Sequence, residues 1–345
     1  MKKIWETILF FFYTIALGLL FILAAFKKKG RATHKYGVGG AGTLTVVDRP
    51  EFPEHEFWQA GKEFPLRLRH GTVTFEDDAA MDIRSASLKL SDREEESPLD
   101  IIMNTGPRTF RHMTDFWNFT LASVKGKGED EPVSSKGLEA YCQSDREFKE
   151  IFAETMRRAP DSFSQIYYDS KLVNYFTAKD GKIRYVKYRL IPGDRGIDSG
   201  VVSGEDWEKP WLQKRRPDET RPIDYLRKEY VEKLSREPII YHLQLRLHED
   251  MEGDKTEIFT QTREWSQETS PWLDLATVKI DRALSFEENE KLSFNIGRQP
   301  DSLGAVEGYS AKDPNSVNAT RIRVYGLSLA VRSFIYKKSG EFKQN

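Results

Sequence analysis

Two stretches near opposite ends of this chain carry the residue types that could do chemistry. The first, RATHKYGVGGAGTLTVV, runs from Arg31 to Val47 and sets Gly37, Gly39 and Gly42 at GxGxxG spacing. That spacing can cradle a dinucleotide pyrophosphate, provided that a strand precedes the glycines and a helix follows, because the helix N–H groups hold the anion. Here an apolar run comes first and the alternating Thr43-Leu44-Thr45-Val46-Val47 comes after. The order disfavours a nucleotide site, and the glycines read as a flexible lead-in to a first strand. The second stretch, RIRVYGLSLAVR, carries Arg321, Tyr325 and Arg332, and between the two lies PLDIIMNTG with Asn104. Taken singly, these residues ask for no site: a histidine such as His34 beside a glycine loop is usually exposed, an asparagine often ends its strand, and a tyrosine usually packs in a core. Hydrolase chemistry has no support, since HExxH and GxSxG are both absent. Cys142 is the only cysteine, which excludes an internal disulfide and a thiolate metal cluster. Lys and Arg number 53 against 54 Asp and Glu, so nucleic acid is not an expected partner.

The elements that must position these residues follow from periodicity. From Thr7 to Phe26 the chain carries no charge, and at ~1.5 Å per residue such a run spans the ~30 Å hydrocarbon layer of a bilayer. It is longer than the ~7–15-residue apolar core of a signal peptide, so residues 1–30 read as a transmembrane anchor and 31–345 as the main domain. Lys27, Lys28, Lys29 and Arg31 outweigh Lys2 and Lys3, which places that domain on the cytoplasmic side of a single-pass helix. Strands are expected at 42–47, 65–75, 82–90, 99–105, 182–191, 239–249, 257–265 and 273–280; in the sixth, Tyr241, Leu243, Leu245 and Leu247 alternate with polar residues. Helices are expected in 145–163, where Phe148, Ile151, Phe152 and Met156 share a face up to Pro160, and in 221–238, where Ile223, Leu226, Tyr230 and Leu234 do. The charged or breaker-rich stretches 92–98 and 125–136 read as loops. The resulting class is α+β: a closed antiparallel β-barrel with surrounding helices.

Arg31, His34 and Gly37 form RxxHxxG, PLDIIMNTG ends on its asparagine, and Arg321, Tyr325 and Arg332 keep a fixed spacing. In that order, with a strand-rich region between, the three patterns resemble the catalase superfamily of haem proteins. More narrowly, RATHKYGVGGAGTLTVV, FPEHEFWQAGKEFPLRLRHG, PLDIIMNTG, RRAPDSF and RPIDYLRKEYVEKL look like the coral-type allene oxide synthases, catalase-related enzymes acting on fatty-acid hydroperoxides. The resemblance runs from about Arg31 to Arg332. It implies ferric haem b, with Tyr325 as the proximal iron ligand, Arg321 against its phenolate, and Arg31, Arg69 and Arg332 toward the propionates. It also implies His34 and Asn104 as the distal pair, with Thr33 in the place where a hydroxyl near the imidazole constrains the acid-base steps of hydrogen peroxide dismutation.

The activity implied is dehydration of a polyunsaturated fatty-acid hydroperoxide to an allene oxide, a reaction without net redox change. Alternatives are a hydroperoxide lyase sharing the same iron ligands, a true catalase, and a non-catalytic haem-binding membrane protein. The sequence departs from the coral-type pattern twice. A membrane segment stands where the coral domain has a soluble lead-in, and no lipoxygenase region follows, which leaves the source of the lipid hydroperoxide open, a separate lipoxygenase being one candidate.

Overall fold

Alternating side chains in long strands leave one face to be buried, and here the strands bury it by closing on themselves. The computed structural model describes residues 2–91, 97–128, 131–249, 253 and 255–339. In chain order, the first half holds α1 (Lys2–Lys28), β1 (Gly37–Val46), β2 (Glu63–Thr72), β3 (Asp82–Lys89), β4 (Asp100–Asn104), α2 (Met113–Val124), α3 (Ser135–Ser144), α4 (Arg146–Thr155), β5 (Met156–Arg157) and β6 (Tyr168–Asp169). The second half holds β7 (Asn174–Thr177), β8 (Ile183–Pro192), α5 (Gly204–Glu208), α6 (Tyr225–Arg236), β9 (Ile239–Glu249), α7 (Thr256–Phe259), β10 (Leu273–Ala283), α8 (Phe286–Lys291) and α9 (Ser316–Ser339). Hydrogen-bonded neighbours run β2-β1-β10-β9-β8-β6-β4-β3, and β3 pairs back onto β2, which closes an eight-stranded antiparallel barrel. Closure gives each of these eight strands a partner on both sides. Leu44, Leu68, Leu88, Met103, Leu190, Leu243 and Val278 fill the interior.

Several boundaries differ from the sequence expectation for physical reasons. The glycine run is not a lead-in but the first half of β1 itself. A Cβ on Gly42 would stand 1.9 Å from the Lys279 carbonyl oxygen, and one on Gly37 would stand 2.2 Å from that of His70. Glycine therefore lets β1 lie against both neighbours, across a register shift between Ala41 and Gly42. The expected helix 145–163 stops at Thr155, because Met156 and Arg157 pair with Ile83 and Asp82 of β3. Residues 257–265 form no strand; Thr256–Phe259 is one helical turn, and Trp265 folds back to donate Nε1–H to the Ile258 carbonyl. In the second half of β9, Gln244, Arg246 and His248 are buried as well as the leucines, because the loop through Trp265 and Ser270 covers the outer face and accepts from the Arg246 guanidinium. Of the expected loop 92–98, residues 92–96 lie outside the described residues; the loop from 125 ends at Ser134, which caps α3 by accepting from the Gly137 amide.

Outside the barrel, α2, α3 and α4 pack around Leu138, Phe148, Phe152 and Phe119. The helix α1 is long and apolar enough to cross a membrane, but it lies along α9 and against α2: Phe10 and Leu17 share a core with Met113, Ala319 and Val324, and Thr14 Oγ1 meets Thr320 Oγ1 at 3.0 Å.

Candidate functional site

Helical spacing in α9 sets Arg321 one turn before Tyr325, so its guanidinium faces the phenol: Nη2 donates to the Tyr325 oxygen at 3.2 Å and Nε at 3.4 Å. Across the cavity, His34 has a left-handed backbone (φ 55°), and the strands beside it hold that conformation. Its amide donates to the Val73 carbonyl at 3.1 Å, and its carbonyl accepts from Arg69 Nη1 at 3.0 Å. The imidazole Nδ1 lies 3.1 Å from the Thr33 hydroxyl, which can donate to it or accept from it and so holds the ring's orientation in either tautomer. Burial, reinforced by the positive charges of Arg69 and Arg31, pushes the His34 pKa down to about 3. The ring is therefore neutral. At the end of β4, Asn104 pairs in register with Ser85 and Asp169, and its Oδ1 is buried without a protein partner.

A third group sits to one side. Arg31 Nη2 donates to the carbonyls of Leu292 at 2.6 Å and Asn289 at 3.1 Å, Arg332 Nη2 donates to the same Leu292 carbonyl at 2.8 Å, and Arg69 Nε donates to Asn289 Oδ1 at 3.1 Å. The carboxylate of Glu290 lies 3.9 Å from Arg69. Burial first, and the neighbouring guanidiniums second, hold Arg31 well below the ordinary arginine range. For Arg69, burial outweighs the support of Glu290 and brings the pKa down to about 10. Arg31 Nε is buried and unpartnered. Arg31 and Arg69 are two buried cations that share the Glu290 carboxylate, an arrangement suited to receiving a further anionic group.

These residues line two neighbouring spaces that share part of their wall. A slot of about 100 Å³ is lined by Arg31, Arg69, Arg332, Ser85, Ser293 and Phe294, and a chamber of about 310 Å³ by Asn104, Arg321, Phe110, Phe119, Phe148 and Phe152; Thr33, His34, Tyr325 and Phe21 line both. All eight residues singled out from the sequence therefore line one or both of these neighbouring spaces. The haem implied by the resemblance fits this donor set: a phenol with a cation on its oxygen, a neutral imidazole beside a buried amide oxygen, and guanidiniums of Arg31, Arg69 and Arg332 suited to two carboxylates.

The structure adds residues that the sequence did not mark. Lys171, at φ 59°, lines the chamber, and burial lowers its pKa to about 7 despite the nearby Asp169. Burial likewise raises Asp169 to about 7. Phe148 and Phe152 were visible only as the apolar face of a helix, which is also what a core residue looks like. Leu17 and Phe21 of α1 line the chamber too, and nothing in an apolar run marks which residues do so.

No protein-family profile matches the chain. Its sequence is 44% identical over 301 residues to the allene oxide synthase-lipoxygenase protein of Plexaura homomalla, covering 86% of this chain and 27% of that protein. It is 26% identical over 333 residues to the linolenate 9R-lipoxygenase of a Nostoc species, covering 92% of this chain and 40% of the relative. The chain thus spans less than half the length of these curated relatives. Among solved structures, catalase A from Saccharomyces cerevisiae matches with a TM-score of 0.69 at 17% identity, covering 91% of this chain and 64% of that one. A fungal catalase matches with a TM-score of 0.67 at 20% identity, covering 90% and 61%. The chain has the catalase fold, and its sequence makes it a catalase-related domain of the allene oxide synthase-like kind.

Proposed function

We propose that this chain binds ferric haem b and dehydrates a polyunsaturated fatty-acid hydroperoxide to an allene oxide. One observation carries the reading: the Arg321–Tyr325 pair and the His34–Asn104 pair face a single cavity that continues into a phenylalanine-lined chamber. In this reading Tyr325 is the iron ligand, and the Arg321 guanidinium stabilises its phenolate oxygen by hydrogen bonding and charge. Arg31, Arg69 and Arg332 take the propionates, to which planar guanidiniums offer paired donors. When bound, the haem supplies homolytic O–O cleavage and the matching one-electron oxidation, so that no NAD(P)H is consumed.

The remaining tasks fall to the chain. The neutral His34 presents a ring nitrogen to the hydroperoxide O–H, with the ring held by the Thr33 hydroxyl, and Asn104 accepts or donates at the second oxygen. Phe110, Phe119, Phe148 and Phe152 exclude water and hold the acyl chain. The apolar α1 brings the domain to a membrane, with the exposed Lys27 and Lys29 favouring an anionic, cytoplasmic-type leaflet. A lipoxygenase supplies the hydroperoxide.

Purified protein incubated with polyunsaturated hydroperoxides tests this by mass spectrometry of the products. Ketols, which form when an allene oxide hydrolyses, support dehydration. Short-chain aldehydes would make it a lyase, and oxygen from hydrogen peroxide alone would make it a catalase. Bound haem without turnover of any of them would leave a haem-binding membrane protein.

A further inference from the structure

We propose that α1 is an in-plane membrane-docking helix, lying along one leaflet of an anionic bilayer with its outer face immersed while its inner face walls the chamber. Two stripes at helical spacing divide it. Phe10, Thr14, Leu17, Phe21 and Ala25 turn toward the protein. Trp5, Ile8, Phe12, Ile15, Leu19 and Leu23 point outward, each between 51% and 66% exposed. A large apolar stripe left in water demands an occupant.

Both ends of α1 are fixed to the body. Near the start, the Glu6 carbonyl accepts from the Ala311 amide at 3.1 Å and its carboxylate from the Ser310 hydroxyl at 3.0 Å. Near the end, the rings of Phe26 and Phe334 meet at 6.4 Å. Crossing the bilayer in this docked state would carry α9 across with it, including the half-exposed pair Arg323–Glu307 at 3.3 Å, and charged groups at membrane depth are costly. Crossing after undocking would break the Thr14–Thr320 contact and remove Leu17 and Phe21 from the chamber wall. Lying in the plane costs neither.

The charges name the occupant. Exposed Lys2 and Lys3 stand at one end of the stripe, and exposed Lys27 and Lys29 at the other. Pairing α1 with α1 of a second copy, parallel or antiparallel, would set lysines against lysines, whereas an anionic leaflet attracts both ends at once. The Phe12–Trp117 ring contact at 6.4 Å extends the apolar surface onto α2. Because Leu17 and Phe21 are one helix thickness from the outer stripe, the chamber wall then borders lipid. This deepens the proposed function, on which the notion of a lipid substrate rests, while the test below needs no turnover.

The test uses the full chain carrying both Lys2→Cys and Lys27→Cys, with the native Cys142 buried. The protein is reconstituted into sealed phosphatidylglycerol–phosphatidylcholine vesicles and labelled with a membrane-impermeant maleimide before lysis. An in-plane helix has both ends on one side, so intact-mass spectra show two labels or none on each chain; one label on each chain identifies a spanning helix and overturns the proposal. A second variant, Ile8→Gln/Ile15→Gln/Leu23→Gln, changes only outward residues. It should partition onto the same vesicles about tenfold or more weakly with an unchanged circular dichroism spectrum. Undiminished vesicle binding, or a wild-type chain that stays in solution as an oligomer, would equally refute docking.

Discussion

Replacing Arg332 by methionine should separate the stability of the empty fold from its affinity for haem. Arg31, Arg69 and Arg332 are mutually close cations, and Glu290, at 3.9 Å from Arg69, is the acid beside them. Keeping Arg69 charged against a fall from 12.5 to about 10 costs ~3 kcal/mol at ~1.4 kcal/mol per pKa unit. Removing Arg332 takes away one contributor to that cost, a repulsion secondary to burial. It also removes a donor to the Leu292 carbonyl, a bond worth ~0.5–1.5 kcal/mol, but that carbonyl keeps Arg31 at 2.6 Å. The two changes oppose, so the haem-free protein should melt within a few degrees of wild type. In the haem-bound protein the loss is a charge-assisted bond to a propionate, ~1.5–3 kcal/mol, or ~10- to 150-fold in Kd. Thermal melts of the haem-free chain and a Soret-band haem titration measure the two quantities. If haem affinity is unchanged while the haem-free fold loses several degrees or more, the cluster is a structural ion network and the propionate assignment is wrong.

Other perturbations read different parts of the site. Tyr325→Phe should leave the fold intact, since it removes one pair of bonds at 3.2–3.4 Å from Arg321; the ferric spectrum of the loaded protein should change and turnover should vanish, and an unaltered Soret band would exclude tyrosinate ligation. Thr33→Val removes the hydroxyl 3.1 Å from His34 Nδ1 and should lower ketol formation by ~2- to 10-fold, an effect of ~0.5–1.5 kcal/mol, while raising oxygen release from hydrogen peroxide, as a Clark electrode would record. Stability should fall in acid. His34 and His70 have folded pKa values depressed from 6.5 to about 3, so above pH 6.5 both states are neutral at these residues and nothing changes. Below it the unfolded chain binds protons that the fold refuses, and each histidine then costs ~1.4 kcal/mol per pH unit until about pH 3; urea midpoints that stay level from pH 6.5 to 5 would contradict this. Lys89→Met removes the cation that Asp100 meets at 3.0 Å with both side chains fully buried; Asp100 keeps the Asn295 amide at 2.9 Å and Arg298 at 3.4 Å, so the cost in urea unfolding should stay below the ~3–5 kcal/mol of an uncompensated buried charge.

What the sequence disclosed of this molecule was set by whether an interaction is local. The alternation in 239–249 reports directly on β9, whose bounds match it, because a period of two is a property of one strand. The glycines of β1 misled for the opposite reason: their need is the carbonyl of Lys279, far away in the chain, and no local pattern reports the approach of a distant strand. Tyr325 and Arg321 could be paired from spacing once a helix was assumed, since one turn of α9 is enough to join them. Lys171 had no such neighbour. Its burial beside the chamber follows from β6 and β4 meeting at Asp169 and Asn104, a contact that only barrel closure creates. The same logic governs α1. Hydropathy gives the length of an apolar helix but weighs all its faces together, so it cannot separate a helix surrounded by lipid from one with a protein side and a lipid side. The division appears only when α9 is beside it: Thr14 and Leu17 turn inward because Thr320 and Val324 are there to receive them. A helix with two such faces belongs at a boundary, and here the boundary would separate the bilayer from the cavity that holds the chemistry.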